Sequence, residues 1–167
     1  MFQPKDFIIY RNHGVYQISH VESMSIPSNT PARDCFVLQP VVGTETIYAP
    51  VAHAKNFRRV MSKEEAREFI DQIPLSLKIL PDQTNFAAQK AAYEECLTSG
   101  DYDKLVQLLH TINRKMDDTL NKKQPSQIEM QYYKRAEAIL HAELSISLGI
   151  PMEQVGDYIH QQLNVAD

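Results

Sequence analysis

The chain has 167 residues, which is enough for one domain or for two small ones. Hydrophobic residues make up 43% of it, an ordinary share for a globular protein. No apolar run approaches the length of a membrane-spanning helix, and the N-terminus lacks the basic and apolar regions of a secretory signal. These features exclude a transmembrane helix, and we expect a cytoplasmic protein without a membrane partner.

Charge is distributed unevenly along the chain. Residues 1–61 contain six Lys/Arg and four Asp/Glu, a net charge of +2, whereas residues 62–167 contain 11 Lys/Arg and 17 Asp/Glu, a net charge of −6. Because DNA binding depends on neutralising phosphates, the second segment cannot hold DNA by general electrostatic attraction.

The first 61 residues have the pattern of a small all-β module, in which apolar runs rich in β-branched and aromatic residues alternate with turn formers. The predicted strands are Phe7–Tyr10, Val15–Glu22, Asp34–Val41, Thr46–Pro50 and Phe57–Val60. A turn is expected at Arg11–Gly14 and a hairpin around Val42–Glu45. In the second strand, Val15, Ile18 and Val21 are expected near a buried face. Strands this short predict a barrel, which removes its own edges by closing.

The pattern changes to helical periodicity at Ser62, which opens a capping box with Glu65. The predicted helices are Lys63–Gln72, Phe86–Leu97, Tyr102–Leu120, Gln127–Leu148 and a last one from Pro151, in its first turn, to about Leu163. Ser126 and Glu129 form a second capping box, and Leu75–Pro81 is expected to be an extended linker. The chain is therefore predicted to be α+β: a β-barrel domain at 1–61, followed by a helical domain of about four to five helices at 62–167.

No motif for catalysis, metal binding or cofactor binding is found. Cys35 and Cys96 fall in different halves of the chain and are expected to be buried free thiols. The six histidines are dispersed, and five glycines form no phosphate-binding loop. The basic pair Lys122-Lys123 is interpreted as complementing a helix C-terminus rather than binding nucleic acid, and Lys134-Arg135 is the other dense basic position. We expect a protein that is not an enzyme and has no small-molecule substrate.

Phe86 begins the second predicted helix, in the sequence Thr84-Asn85-Phe86. An aromatic residue at this position either packs into the helical core or projects as a wedge, as minor-groove proteins use apolar side chains against unstacked base steps. The position alone favours the core.

Several motifs, taken in order, resemble the CarD/CdnL family of bacterial transcription regulators, whose N-terminal module is shared with the transcription-repair coupling factor. In the first segment they are Phe2, Asp6-Phe7-Ile8-Ile9-Tyr10, His13-Gly14-Val15, Phe36-Val37-Leu38 and Ile47-Tyr48-Ala49-Pro50. In the second they are Asn85-Phe86, Ser99-Gly100-Asp101 and the helix segment from Tyr133 to Leu144. Lys5 and Arg11 replace a glycine and a proline of the family pattern.

The resemblance implies a Tudor-like (SH3-like) barrel that binds the β subunit of RNA polymerase. It also implies a helical domain that contacts promoter DNA at the upstream edge of the bubble and alters the stability of the open complex. The residues implied in polymerase binding are Met24, Thr46, Ile47, Tyr48 and Ala49. Phe86 occupies the position of the family's wedge tryptophan, and Lys90 is the one basic residue kept after it.

The acidic helical segment leaves two functions open. The first is a polymerase-binding transcription regulator whose DNA contact is weak and depends on the polymerase. The second is a protein–protein adaptor with the same barrel and a helical domain that does not bind DNA.

Overall fold

The computed structural model of the protein describes residues 2–10, 14–25, 29–83, 85–117 and 125–165. The chain divides into two compact units, Met1–Val60 and Met61–Asp167. None of the helices in the described ranges combines the length and apolar character needed to cross a membrane. The features of the sequence analysis that lie outside the described residues are Arg11 to His13 of the first turn, Thr84, the end of the third helix at Leu120, and Lys122-Lys123.

The first unit is an antiparallel sheet of five strands, as the sequence predicts. The strands are β1 (Phe7–Tyr10), β2 (Val15–Met24), β3 (Arg33–Pro40), β4 (Ile47–Pro50) and β5 (Phe57–Arg59). Their order in the sheet is β4-β3-β2-β1-β5, and a 3-10 helix at Val51–Asn56 connects β4 to β5. Each predicted strand is present with its ends shifted by at most two residues.

The closure of this sheet into a barrel is not observed in the described residues. The strands β4 and β5 lie at opposite ends of the order, and no ladder joins them in the ranges that the structure describes. Aromatic packing covers the core instead. The ring of Phe57 lies 5.1–5.6 Å, between centroids, from the rings of Phe2, Tyr10 and Phe36. A short β5 of three residues can thus bury its one apolar side chain, Phe57, without pairing with β4.

The expected burial of Val21 is not observed, whereas Val15 and Ile18 are buried. The β2–β3 ladder shifts register between Ile18 and His20, and beyond this bulge Val21 lies opposite the buried Phe36. The β1–β2 ladder, however, stops at the pair of Phe7 and Gln17, so Val21 has no β1 residue beside it. Val21 is consequently 45% exposed.

The described part of the second unit contains five α-helices. They are α1 (Lys63–Gln72), α2 (Phe86–Thr98), α3 (Tyr102–Asp117), α4 (Gln127–Leu148) and α5 (Val155–Val165). A short 3-10 helix at Met152–Gln154 precedes α5, and another at Ile73–Ser76 includes Leu75 and Ser76, so the linker predicted at Leu75–Pro81 is not extended over its first two residues. Pro151 does not start an α-helix as predicted, because its extended backbone, with ψ at 148°, caps the 3-10 turn before α5.

The predicted helix starts follow from side-chain caps. The Ser62 hydroxyl accepts from the Glu65 amide at 3.1 Å and starts α1. Ser126 and Glu129 form the full capping box of α4, with both bonds at 3.1 Å. At its other end α4 stops at Gly149, whose φ of 70° lies in the left-handed region that glycine adopts at the lowest steric cost.

Helix α4 spans both hydrophobic cores of the second unit. Its first half packs with α2 and α3, through Tyr132 and Ala136. Its second half packs with α1 and α5, through Leu140, Leu144 and Leu148. The position of each neighbouring helix group is therefore set by one 22-residue helix.

A polar junction joins α2, α3 and the start of α4 at Glu129. Its carboxylate accepts from the Tyr93 hydroxyl at 2.6 Å and from the Lys115 ammonium, in addition to its capping bond. Burial raises the pKa of Glu129, but the bonds from Lys115, Tyr93 and the Ser126 amide outweigh this and hold the pKa below its ordinary value. The folded chain therefore favours the ionised form of Glu129.

This pKa predicts acid sensitivity. A carboxylate whose pKa is depressed by folding stabilises the fold above its unfolded pKa, and this stabilisation is lost as the pH falls through the folded pKa. The free energy of unfolding, measured with urea at a series of pH values, should therefore decrease as the pH falls below 4.5, the ordinary pKa of a glutamate. Glu129→Gln should cost about 1–3 kcal/mol at pH 7 and should flatten the decrease. Glu95→Gln is the control, since that side chain is 71% exposed. Equal pH profiles for the two variants would contradict this role of Glu129.

Candidate interaction surfaces

Strand β4 forms an edge of the sheet and pairs only with β3 among the described residues. The pairs are Ile47 with Leu38, Tyr48 with Val37, and Ala49 with Phe36. An unpaired edge offers backbone N–H and C=O groups to an incoming strand. Pro50 ends the strand, in keeping with the confinement of proline to edges and strand ends.

The side chains of β4 divide between the core and the surface. Ala49 is 1% exposed, and the partly buried Ile47 packs against the same buried cluster, so these two side chains offer little surface to a partner. Tyr48 points to the opposite face and is 46% exposed. Thr46 lies just before the strand, and its hydroxyl donates to Gln39 Oε1 at 3.1 Å. The strand thus presents its backbone edge and the Tyr48 ring.

Met24, the remaining residue predicted to bind the polymerase, lies away from the β4 edge. It ends β2 opposite Arg33, whereas Tyr48 lies opposite Val37 on the other side of β3. Two strand spacings amount to roughly 10 Å, and the four residues from Arg33 to Val37 to roughly 13 Å. A partner would have to cover most of the sheet face to touch both Met24 and Tyr48.

Phe86 is the first residue of α2 and its ring is 63% exposed. The helix start is fixed by Asn85, whose side chain accepts from the Ala88 amide at 2.8 Å. The alternative that Phe86 packs into the core therefore does not hold. Lys90 lies one turn further along the same face and is also exposed, because residues four apart on a helix are neighbours.

The same face of α2 continues to Glu94, where α4 contributes a cation. Glu94 Oε2 accepts from the Tyr132 hydroxyl at 2.9 Å and lies 3.8 Å from Arg135 Nη1. The Arg135 guanidinium also lies 5.6 Å from the centroid of the Tyr132 ring. Burial and the bond to Glu94 raise the pKa of Tyr132, so it remains a neutral donor. The pairing depends on how α2 crosses α4, and the sequence alone carries no signal of that crossing.

The linker before α2 carries further exposed apolar side chains. Leu75, Leu77 and Ile79 are 81%, 43% and 53% exposed. Leu80 packs inward, and its N–H donates to Thr111 Oγ1 at 3.0 Å, which fixes the linker to α3. Within the described part of the second unit, all of the exposed large hydrophobic residues lie between residues 75 and 86. Extended patches of this kind mark interaction sites in soluble proteins.

Comparison with known families identifies the first unit. Residues 2–61 match the model of the CarD-like/TRCF RID domain. The first unit is a CarD-like/TRCF RID domain. Its family consists of RNA polymerase-interacting domains, so this unit is a transcription-related interaction module. No curated protein matches the chain. The resemblance predicted for residues 62–148 lies outside the matched range and stays a prediction.

The exposure of Phe86 predicts a small effect on stability. Phe86→Ala should lower the free energy of unfolding by less than about 1 kcal/mol, because surface substitutions usually change it little. Tyr93→Ala, on the same helix and 1% exposed, should cost about 3–5 kcal/mol. Urea unfolding of the two variants and the unaltered chain measures both values. A loss in Phe86→Ala close to that in Tyr93→Ala would show that the ring is buried in solution.

Proposed function

We propose that this chain is a CarD-type transcription regulator that binds the β subunit of RNA polymerase and modulates the stability of the open promoter complex. It acts in the bacterial cytoplasm and catalyses no reaction. The observation that carries the proposal is the unpaired edge of β4, with Tyr48 exposed beside it, in a CarD-like/TRCF RID domain.

The proposed polymerase contact is an added strand. An extended segment of the β subunit pairs with the backbone of β4, which provides affinity through main-chain hydrogen bonds. The Tyr48 ring provides a large amphipathic contact next to this pairing, the kind of residue that often dominates interface energies. Ile47 and Ala49 contribute mainly backbone, since Ala49 is buried and Ile47 packs against the core. A Tudor-like path of the chain, as the resemblance implies, is compatible with the strand order.

The proposed DNA contact is made by Phe86 and Lys90. The Phe86 ring stacks on an unpaired or unstacked base at the upstream edge of the promoter bubble, and Lys90 approaches a phosphate. The net charge of −6 in residues 62–167 makes the intrinsic affinity for DNA low. Binding to the polymerase compensates, because it holds the helical unit at a high effective concentration near the promoter.

A second candidate is a protein–protein adaptor, and the apolar linker favours it. Leu75, Leu77 and Ile79 are exposed in an acidic unit, which suits an apolar protein surface better than a phosphate backbone. In this case the first unit still binds the polymerase, while the second recruits another protein. The two candidates differ in whether Phe86 affects the open complex.

Polymerase binding is tested at Tyr48. Tyr48→Asp places a charge beside the paired strand and should weaken binding to the purified β subunit by on the order of 2 kcal/mol, about 30-fold in Kd. Val21→Asp is the matched control, since Val21 and Tyr48 are 45% and 46% exposed on the same sheet. An affinity of Tyr48→Asp equal to that of Val21→Asp would remove the β4 edge from the interface. Absence of binding by the unaltered chain would refute the proposed function.

The DNA contact is tested at Phe86. With polymerase binding unchanged, Phe86→Ala should shorten the lifetime of the open complex relative to the unaltered chain, because stacking on a base is worth roughly 1–3 kcal/mol. Phe86→Trp keeps an aromatic ring and should retain the lifetime. Competitor-challenge kinetics on one promoter measure all three proteins. An identical lifetime with Phe86→Ala would favour the adaptor.

A further inference from the structure

The Phe86 surface extends along α2 as a ridge of three side chains. Phe86, Lys90 and Glu94 follow one another at intervals of four residues, and this spacing places them on one face of the helix. From Phe86 to Glu94 the ridge covers about 12 Å of helix axis. That length corresponds to three to four base steps at about 3.4 Å of rise per step along one DNA strand.

At the far end of this ridge stands a cation held in a defined place. The Arg135 guanidinium lies 3.8 Å from Glu94 Oε2 and 5.6 Å from the centre of the Tyr132 ring. Tyr132 also fixes Glu94 by donating its hydroxyl at 2.9 Å. The Arg135 side chain remains 57% exposed despite these contacts. A guanidinium has five N–H donors, so the contact with Glu94 leaves most of them directed to solvent.

We infer that Arg135 is a second phosphate-contacting residue of the Phe86 surface, and that Glu94 and Tyr132 position its guanidinium. This inference rests on the proposed DNA contact and deepens it. When Phe86 stacks on an unpaired base, Arg135 binds a backbone phosphate three to four steps away, and Lys90 lies between them. Glu94 also weakens the contact, because its negative charge competes with the phosphate for the same guanidinium.

A purely structural role explains the arrangement less well. Exposed ion pairs contribute little to stability, and this one is long, at 3.8 Å, with both side chains substantially exposed. Tyr132 is already buried against Tyr93 and bonded to Glu94 without help from Arg135. Lys104 and Lys115, which bond to Glu95 and Glu129, do not lie on the ridge.

Two pairs of neighbouring residues provide matched variants. Arg135→Ala is compared with Lys134→Ala. Lys134 is the preceding residue, carries the same charge, is exposed and has no ion pair among the described residues. Glu94→Gln is compared with Glu95→Gln, which removes an acid that pairs with Lys104 at 3.2 Å instead. Glutamine at position 94 can still accept from the Tyr132 hydroxyl.

The probe is a fluorescein-labelled duplex with an unpaired central segment, titrated with the full chain from about 25 to about 100 mM salt, where phosphate contacts are strongest. Arg135→Ala should weaken binding about fivefold, the upper range for an exposed charge pair, and should reduce the slope of log K against log salt by about 0.9. Arg135→Lys should keep the slope. Glu94→Gln should tighten binding by a similar factor, and Lys134→Ala and Glu95→Gln should change it less than about twofold.

The inference is overturned if Arg135→Ala and Lys134→Ala weaken binding equally, because only net charge would then matter. It is also overturned if the unaltered chain does not bind the probe at the lowest salt. Affinity for the β subunit, measured on the same proteins, separates this failure from that of the proposed function. A chain that binds the polymerase, with Arg135→Ala indistinguishable from Lys134→Ala on DNA, refutes the role of Arg135 alone.

Discussion

The packing of α4 against α2 is the interaction on which the geometry of the second unit depends. Tyr132 lies against Tyr93, with ring centroids 5.6 Å apart, and Glu129 joins α2 to α3 through the hydroxyl of Tyr93 and the ammonium of Lys115. These contacts fix the height and the rotation of α2, and so the direction in which Phe86 projects. Since α4 also forms the core with α1 and α5, a change at Tyr132 would alter both the fold and the ridge of Phe86, Lys90 and Glu94.

In the first unit the candidate interaction feature is an incomplete set of hydrogen bonds, namely the backbone groups along the free edge of β4. An unpaired strand edge promotes aggregation unless it is short or covered. Strand β4 has only four residues, ends at Pro50, buries the side chain of Ala49 and partly buries that of Ile47, so little apolar surface is exposed along with the backbone. Tyr48 is the exception. An edge this short gives specificity only when a partner strand has the matching register, which suits a dedicated interaction better than general adhesion.

Local rules predicted much of this structure. The capping residues Ser62 and Ser126 placed the starts of α1 and α4, and period-two patterns placed five strands. What failed depended on three-dimensional packing. The exposure of Val21 depends on where the β1–β2 ladder stops, which has no signature in the sequence, and barrel closure depends on whether β4 meets β5. Phe86 shows the same limit. Position alone favoured the core and the resemblance favoured a projecting wedge, and the packing of α2 shows the side chain to be exposed. Arg135 was visible as a basic residue, but its place beside Glu94 depends on the crossing of α2 and α4.

The acidity of the second unit is consistent with the proposed function if affinity for DNA in general is distinguished from specificity for promoters. A strongly basic unit would bind DNA throughout the genome and would compete with promoter binding. Under the proposed function the cations on the ridge are few and Glu94 partly neutralises Arg135, so we expect free DNA to be bound weakly. Attachment to the polymerase would then supply the missing affinity only where a promoter is already held. The charge that opposes DNA binding would thereby confine it to the polymerase complex, and the stacking of Phe86, which salt screens little, would carry the remaining energy.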